Sequence, residues 1–126
     1  MTSSGATVLV VDDDLIARQY LAELLTHHGY EVVLACHGRE ALARLCEHEP
    51  DLVLLDLNMP VMDGWEFRAE QQRLPETHLA QIPVLVLTAV ERTATRASAL
   101  NAAGLVEKPF DPERLLNAVR EVLRAA

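Results

Sequence analysis

The chain has few aromatic residues, few cysteines and no long hydrophobic run. Aromatic side chains make up 4% of its 126 residues while hydrophobic residues make up 50%, so the core must be aliphatic. Two cysteines, Cys36 and Cys46, are too few for a disulfide scaffold or a cysteine zinc cluster, and we expect reduced thiols packed as small hydrophobic groups. No apolar segment approaches the roughly 20 residues of a membrane-spanning helix, so we expect a cytoplasmic protein that does not bind membranes.

Basic residues are scarce as well. The chain has 11 lysine and arginine residues against 19 aspartate and glutamate residues, which gives a formal net charge of −8. Direct binding of nucleic acid requires basic side chains that neutralise phosphates, so this balance argues against nucleic acid as a direct partner. Lys108 is the single lysine, and every other basic residue counted here is an arginine.

Short apolar runs alternate with helical patterns along the chain. The runs are predicted to be strands, and they lie at residues 7–11, 31–35, 52–55, 82–87 and 105–108. The helices between them are predicted to end before Gly29, near Pro50, near residue 73 and near residue 103, and a last helix begins at Asp111. Continuous apolar strands that alternate with helices indicate a doubly wound α/β fold with a five-stranded parallel sheet. We assign residues 7–126 to this domain and residues 1–6 to a flexible N-terminus.

Polar residues follow four of the predicted strands at the point where each strand ends. Asp12 and Asp13 follow the first strand, and Asp56 follows the third. Thr88 ends the fourth strand, and Lys108 ends the fifth. Each has a plain structural explanation when taken alone, such as an aspartate that caps a helix. The carboxyl ends of parallel strands share one edge of the sheet, however, and ligands of such folds bind there. The coincidence therefore favours a shared site.

Three carboxylates at one sheet edge repel each other. Two of them about 5 Å apart repel by about 3 kcal/mol at an effective dielectric constant of about 20, and one lysine cannot neutralise three. Oxygen ligands without nearby histidine or cysteine favour Mg²⁺, which shares its coordination shell with phosphate groups. A lysine ammonium and a threonine hydroxyl suit the remaining phosphate oxygens. One carboxylate is then left as a nucleophile that forms an acyl phosphate.

The stretches VLVVDDD, LVLLDLNMPVMDG, VLVLTA and VEKPF together resemble the receiver domain of two-component response regulators. The resemblance spans nearly the whole chain and implies a flavodoxin-like strand order, 2-1-3-4-5. It implies that Asp56 accepts the phosphoryl group and that Asp12, Asp13 and Asp56 hold Mg²⁺ with the backbone carbonyl of Asn58. It further implies that the domain is not an enzyme in its own right, although it assists its own phosphorylation and dephosphorylation.

The resemblance also assigns the switch hydroxyl to Thr88 and the phosphate-contacting ammonium to Lys108. A histidine kinase or an Hpt-type phosphotransfer protein would donate the phosphoryl group. A downstream protein would bind the face formed by the predicted helix at residues 92–103, the fifth strand and the last helix. We expect the protein to be a monomer or a weak dimer.

Two positions depart from the family pattern. Leu105 stands three residues before Lys108, where the family usually has a tyrosine or phenylalanine whose rotamer follows the switch hydroxyl. Rotation of an aromatic ring therefore cannot be the output of this chain. Asn101 replaces the usual glycine at the end of the fourth helix, and Gly104 follows later, so we expect a reshaped turn.

Other functions fit parts of the sequence. Leu105 favours a protein-binding module that has lost phosphorylation, but the presence of all five site residues argues against it. A hydrolase of the haloacid dehalogenase type usually has a second aspartate two residues after its nucleophile, where this chain has Asn58. Among true receivers we expect a stand-alone phosphorelay or chemotaxis-type protein, with a receiver excised from a hybrid kinase as the alternative.

Overall fold

The computed structural model describes residues 5–57, 62–89, 102–108 and 111–125, with the backbone alone at residues 88 and 89. Five parallel strands form one sheet: β1 (Thr7–Val11), β2 (Glu31–Ala35), β3 (Leu52–Asp56), β4 (Val84–Ala89) and β5 (Gly104–Lys108). Their order is β2-β1-β3-β4-β5. The predicted doubly wound fold and its strand order are confirmed.

Described helices that lie between strands are α1 (Leu15–His27), α2 (Gly38–His48), α3 (Gly64–Gln72) and α4 (Thr77–Ala80), and α5 (Pro112–Ala125) follows β5. The sequence does not predict α4, which is a single helical turn between α3 and β4. The predicted helix at residues 92–103 lies almost entirely outside the described residues, and so does Asn101. Among the helices that are described, none combines the length and the apolar surface that a bilayer crossing requires.

The core has two layers because the central strands are buried on both faces. Along β1, Leu9 and Val11 pack on the side of α2 and α3, whereas Val8 and Val10 pack on the side of α1 and α5. Successive strand residues point to opposite faces, so a continuous apolar run is needed to fill both layers. The largest fully buried side chains are Phe67 and a set of leucines, which agrees with the expected aliphatic core.

The connection from α3 to β4 is anchored from inside. Gln71 of α3 is fully buried, and its Nε2 donates hydrogen bonds of 3.0 Å to the carbonyls of Leu79 and Ile82. Arg68, one turn earlier and also buried, donates to Gln71 Oε1 at 2.7 Å. Because Gln71 occupies the carbonyl of Ile82 and Pro83 has no N–H, β4 begins at Val84, two residues later than predicted.

The two cysteines are free, with Cys36 half-buried and Cys46 exposed. The expectation that both pack as small hydrophobic groups is therefore wrong for Cys46, which lies on the outer side of α2. The hydrogen bond between the Cys36 thiol and Glu40, followed by partial desolvation, raises the pKa of Cys36. Partial desolvation raises the pKa of Cys46, and the negative charge of Glu76 raises it further by a smaller amount. Raised pKa values favour the protonated, unreactive thiols.

The strand register aligns the polar strand ends. Val11 pairs with Leu55, so Asp12 lies level with Asp56 at the carboxyl edge of the sheet. Asp56 pairs with Leu87 of β4, and Ala89 of β4 pairs with Lys108. The ends of β1, β3, β4 and β5 are thus adjacent at one edge.

Candidate functional site

The N–H, the carbonyl and one carboxylate oxygen of Asp12 form hydrogen bonds, and the other carboxylate oxygen does not. Its N–H donates to the carbonyl of Ala35 at 3.1 Å, and its Oδ1 accepts from the N–H of Asp14 at 3.0 Å. Its carbonyl accepts from Nη1 of Arg18 at 2.7 Å. The residue is 1% exposed, yet Oδ2 has no hydrogen bond in the described part of the chain. A buried oxygen without a hydrogen bond is rare and destabilising, so this oxygen is available to a ligand.

Three carboxylates meet at this edge and form what we call the acid cluster: Asp12, Asp13 and Asp56. One carboxylate oxygen from each lies within 4.8 Å of the others. Asp12 and Asp56 are buried, whereas Asp13 is exposed. Carboxylates at this separation repel by about 3 kcal/mol per pair at an effective dielectric constant of about 20. In the described ranges, no other group of histidine, cysteine, aspartate and glutamate side chains is arranged to hold a metal.

Lys108 forms ion pairs with two members of the acid cluster. Its Nζ lies 3.4 Å from Oδ1 of Asp56 and 3.6 Å from Oδ2 of Asp12. The lysine side chain is 34% exposed, so the ammonium reaches the cluster from its solvent side. One ammonium offsets one of three formal negative charges. The oxygen-only ligand set, the excess charge and the unsatisfied Oδ2 therefore fit a small divalent cation such as Mg²⁺.

The run of three aspartates contains two members of the acid cluster, Asp12 and Asp13, and one helix cap, Asp14. Asp14 is the N-cap of α1, and its side chain accepts a hydrogen bond from the N–H of Ile16 at 3.3 Å. Asp13 is exposed, and none of the described residues forms a hydrogen bond with its carboxylate. The third aspartate thus caps the helix, which leaves the second one free for a ligand.

The backbone of Asp56 packs against the start of α3. A Cβ atom on Gly64 would lie 2.9 Å from Cα of Leu57 and 3.1 Å from the carbonyl oxygen of Asp56. Asp63 and Glu66 form a capping box in which each side chain accepts from the other residue's N–H, at 2.9 and 3.0 Å. The capping box fixes where α3 begins, and the glycine lets that point contact the backbone of Asp56.

A second glycine supports the same region. The N–H of Gly38, the first residue of α2, donates to the carbonyl of Met62 at 3.0 Å, and a Cβ atom there would lie 2.5 Å from that oxygen. Nothing in the sequence singles out Gly38, Gly64 or Arg18 as supports of the site. The one local signal was the spacing of Asp63 and Glu66, which is typical of a capping box.

The remaining predicted site residues are only partly described. Asn58 lies outside the described residues. The backbone of Thr88 belongs to β4 and pairs with Glu107, one position beyond the partner of Asp56. Leu105 is half-buried and packs against the core layer on the side of α2 and α3. The structure therefore brings Asp12, Asp13, Asp56 and Lys108 together. The functional roles of these four residues, and those of Asn58 and Thr88, stay predictions.

The chain is similar to a family of signalling domains and to curated proteins that contain one. The family model described as the response regulator receiver domain matches residues 8–120. The response regulator MprA of Mycolicibacterium vanbaalenii is 40% identical, over 93% of this chain and 50% of MprA. The probable transcriptional regulator ycf27 of Porphyra purpurea is 37% identical, over 100% of this chain and 51% of that protein. The chain spans about half the length of the curated relatives it matches.

Solved structures show the same architecture. The chemotaxis response regulator CheY4 of Vibrio cholerae has a TM-score of 0.85 and 37% identity, covering 94% of this chain and 99% of CheY4. The signal receiver domain of a signal transduction histidine kinase from Syntrophus aciditrophicus has a TM-score of 0.86 and 28% identity, covering 96% of this chain and 92% of that domain. Similar domains thus occur in a chemotaxis response regulator and in a histidine kinase.

Proposed function

The chain belongs to the response regulator receiver family of two-component signalling, and we propose that it accepts a phosphoryl group on Asp56 in a Mg²⁺-dependent reaction. The observation that carries this proposal is the acid cluster with Lys108 beside it. A buried carboxylate with a lysine ammonium 3.4 Å away, next to an unsatisfied carboxylate oxygen, suits phosphoryl transfer better than a purely structural role.

Each side chain of the site has its own role in the proposed phosphoryl transfer. A carboxylate oxygen of Asp56 forms a bond to phosphorus while the bond from phosphorus to the donor breaks, and the electron pair of that bond stays with the donor. Lys108 offsets the charge on the transferring oxygens, and the hydroxyl of Thr88 donates to one of them. Asp12, Asp13 and Asp56, with the backbone carbonyl of Asn58, would hold Mg²⁺. When bound, Mg²⁺ supplies further stabilisation of the negative charge.

The donor that we propose is a phosphohistidine of a histidine kinase or of an Hpt-type protein. The acyl phosphate then biases an equilibrium between two conformations of a face that includes β5 and α5, and a downstream protein binds one of them. Leu105 is half-buried in the core, so we propose that displacement of Lys108 and β5, and not ring rotation, carries the signal. We propose no turnover of a separate substrate.

A binding module that works without phosphorylation is the second candidate, and Leu105 is the observation that favours it. Both candidates are tested by incubating the protein with acetyl phosphate, with Mg²⁺ or with EDTA, and measuring the intact mass. We expect one base-labile phosphoryl group that appears only with Mg²⁺. An unmodified protein at saturating Mg²⁺ would support the binding module.

The lone lysine allows a direct test of the contact between Lys108 and the phosphoryl group. Because the sequence has one lysine, its amines are Lys108 and the N-terminus. Beryllofluoride with Mg²⁺ mimics the phosphoryl group on Asp56 and should bind the ammonium of Lys108, whose side chain is 34% exposed in its absence. We expect several-fold slower modification of Lys108 by an amine-reactive reagent, measured by peptide mass spectrometry.

The N-terminal amine is the internal control in this experiment, and its rate should not change. Equal rates at Lys108 with and without the mimic would mean that this lysine does not contact the phosphoryl group.

A further inference from the structure

Arg18 lies outside the predicted site, but it holds the backbone between two members of the acid cluster. Its Nη1 donates to the carbonyl oxygen of Asp12 at 2.7 Å, a short distance for a charge-assisted hydrogen bond. Arg18 is itself fixed in the first turn of α1, where its backbone N–H donates to the carbonyl of Asp14 at 2.9 Å. The guanidinium therefore connects the helix to the peptide that leads into Asp13.

This peptide determines where Asp13 points. The N–H and Oδ1 of Asp12 are bound by Ala35 and Asp14, which fixes Asp12 itself. The peptide between Asp12 and Asp13 is planar, so holding its oxygen also fixes the direction in which the chain leaves toward Asp13. The Asp13 carboxylate is exposed, and no side chain or backbone group of the described segments binds it. Its position thus depends on its backbone.

We propose that Arg18 is a positioning residue for metal binding, which holds Asp13 in place beside the other two carboxylates. This inference rests on the proposed binding of Mg²⁺ to the acid cluster. Without Arg18, the buried carbonyl of Asp12 loses its partner, and the peptide can rotate and move the Asp13 carboxylate away. Residues that orient metal ligands typically contribute about 10- to 100-fold to metal affinity.

Electrostatics alone predicts the opposite result. Arg18 is a cation that binds the backbone of the acid cluster, and removing a cation from such a position should strengthen the binding of Mg²⁺. A positioning role predicts that the same substitution weakens it. The direction of the change therefore distinguishes the two effects.

The test compares the dissociation constant of Mg²⁺ in wild-type protein and in Arg18→Met, which keeps much of the aliphatic stem and removes the donor. The constant is obtained from the rise of the thermal unfolding midpoint with Mg²⁺ concentration. We expect about 10-fold weaker binding for Arg18→Met. Arg18→Lys keeps a charged donor and should give an intermediate constant.

Arg73→Met is the matched control, because it removes the same charge. Arg73 follows the far end of α3, where its 71% exposed side chain pairs with Glu70, and its removal should leave the dissociation constant unchanged.

Equal or tighter binding by Arg18→Met, while the wild type binds Mg²⁺, would overturn the positioning role and leave the proposed function intact. Failure of the wild type to bind Mg²⁺ would instead overturn the proposed function. If Arg18→Met shows no cooperative unfolding in EDTA, Arg18→Ala, which also removes the donor, replaces it, and unchanged affinity in that variant overturns the inference.

Discussion

Asp56→Asn is expected to abolish phosphorylation while the protein folds normally. The amide has nearly the shape of the carboxylate, so the pairing of residue 56 with Leu87 and the packing against Gly64 should persist. An amide oxygen is a far weaker nucleophile than a carboxylate oxygen, and it cannot form the acyl phosphate. We expect no phosphoryl group in the intact mass after incubation with acetyl phosphate and Mg²⁺.

The same substitution should not lower the thermal unfolding midpoint in EDTA. It removes one of three carboxylates that repel each other, although it also removes an ion pair with Lys108. Asp14→Asn is the matched control, because asparagine caps helices as well as aspartate does, and its phosphorylation should equal that of the wild type. A base-labile phosphoryl group on Asp56→Asn would assign the nucleophile to another residue.

Asp13→Asn is expected to weaken Mg²⁺ binding far more than Asp14→Asn, although the two substitutions remove the same charge from neighbouring positions. Asp13 contributes an oxygen to the acid cluster, whereas Asp14 caps α1 through Ile16. Partners that only orient a ligand contribute about 10- to 100-fold, so replacing a charged ligand by a neutral amide oxygen should weaken binding by about 100-fold. The affinity of Asp14→Asn should change little, because salt screens exposed charges.

The measurement is again the Mg²⁺ dependence of the thermal unfolding midpoint, with the wild type alongside. Both variants should unfold cooperatively in EDTA, since neither side chain is buried. Similar losses of affinity for the two variants would contradict the division of the aspartate run into a metal ligand and a helix cap.

The strands could be predicted from the sequence because burial on both faces requires continuous apolar runs, whereas the strand order was implied by the family resemblance. The acid cluster could be predicted for a related reason, since residues that directly follow parallel strands must share an edge. The start of β4 and the helix α4 could not be predicted from the sequence. The first depends on Gln71 reaching across to Ile82, and the second is a single turn whose N-cap residue, Glu76, makes no side-chain capping bond to the described backbone.

Arg18 and Gly38 illustrate a second limit. Each acts through a contact with the backbone of another element, Asp12 in one case and Met62 in the other. Such contacts depend on how elements pack, and they leave no periodic pattern in the sequence. The residue types that carry the proposed chemistry were visible, whereas the residues that hold them in place were not.

The internal anchor at Gln71 limits where this domain can change its length. Surface connections between a helix and a strand usually accept insertions and deletions, which makes them common sites for grafted peptides and for divergence between relatives. Here Gln71 binds the carbonyls of Leu79 and Ile82 from within the core. An insertion at residues 73–82 would separate a buried amide from its partners, with a loss of about 1–3 kcal/mol for each unsatisfied group. This connection should therefore keep its length in related proteins that retain the glutamine, and it is a poor position for a peptide graft.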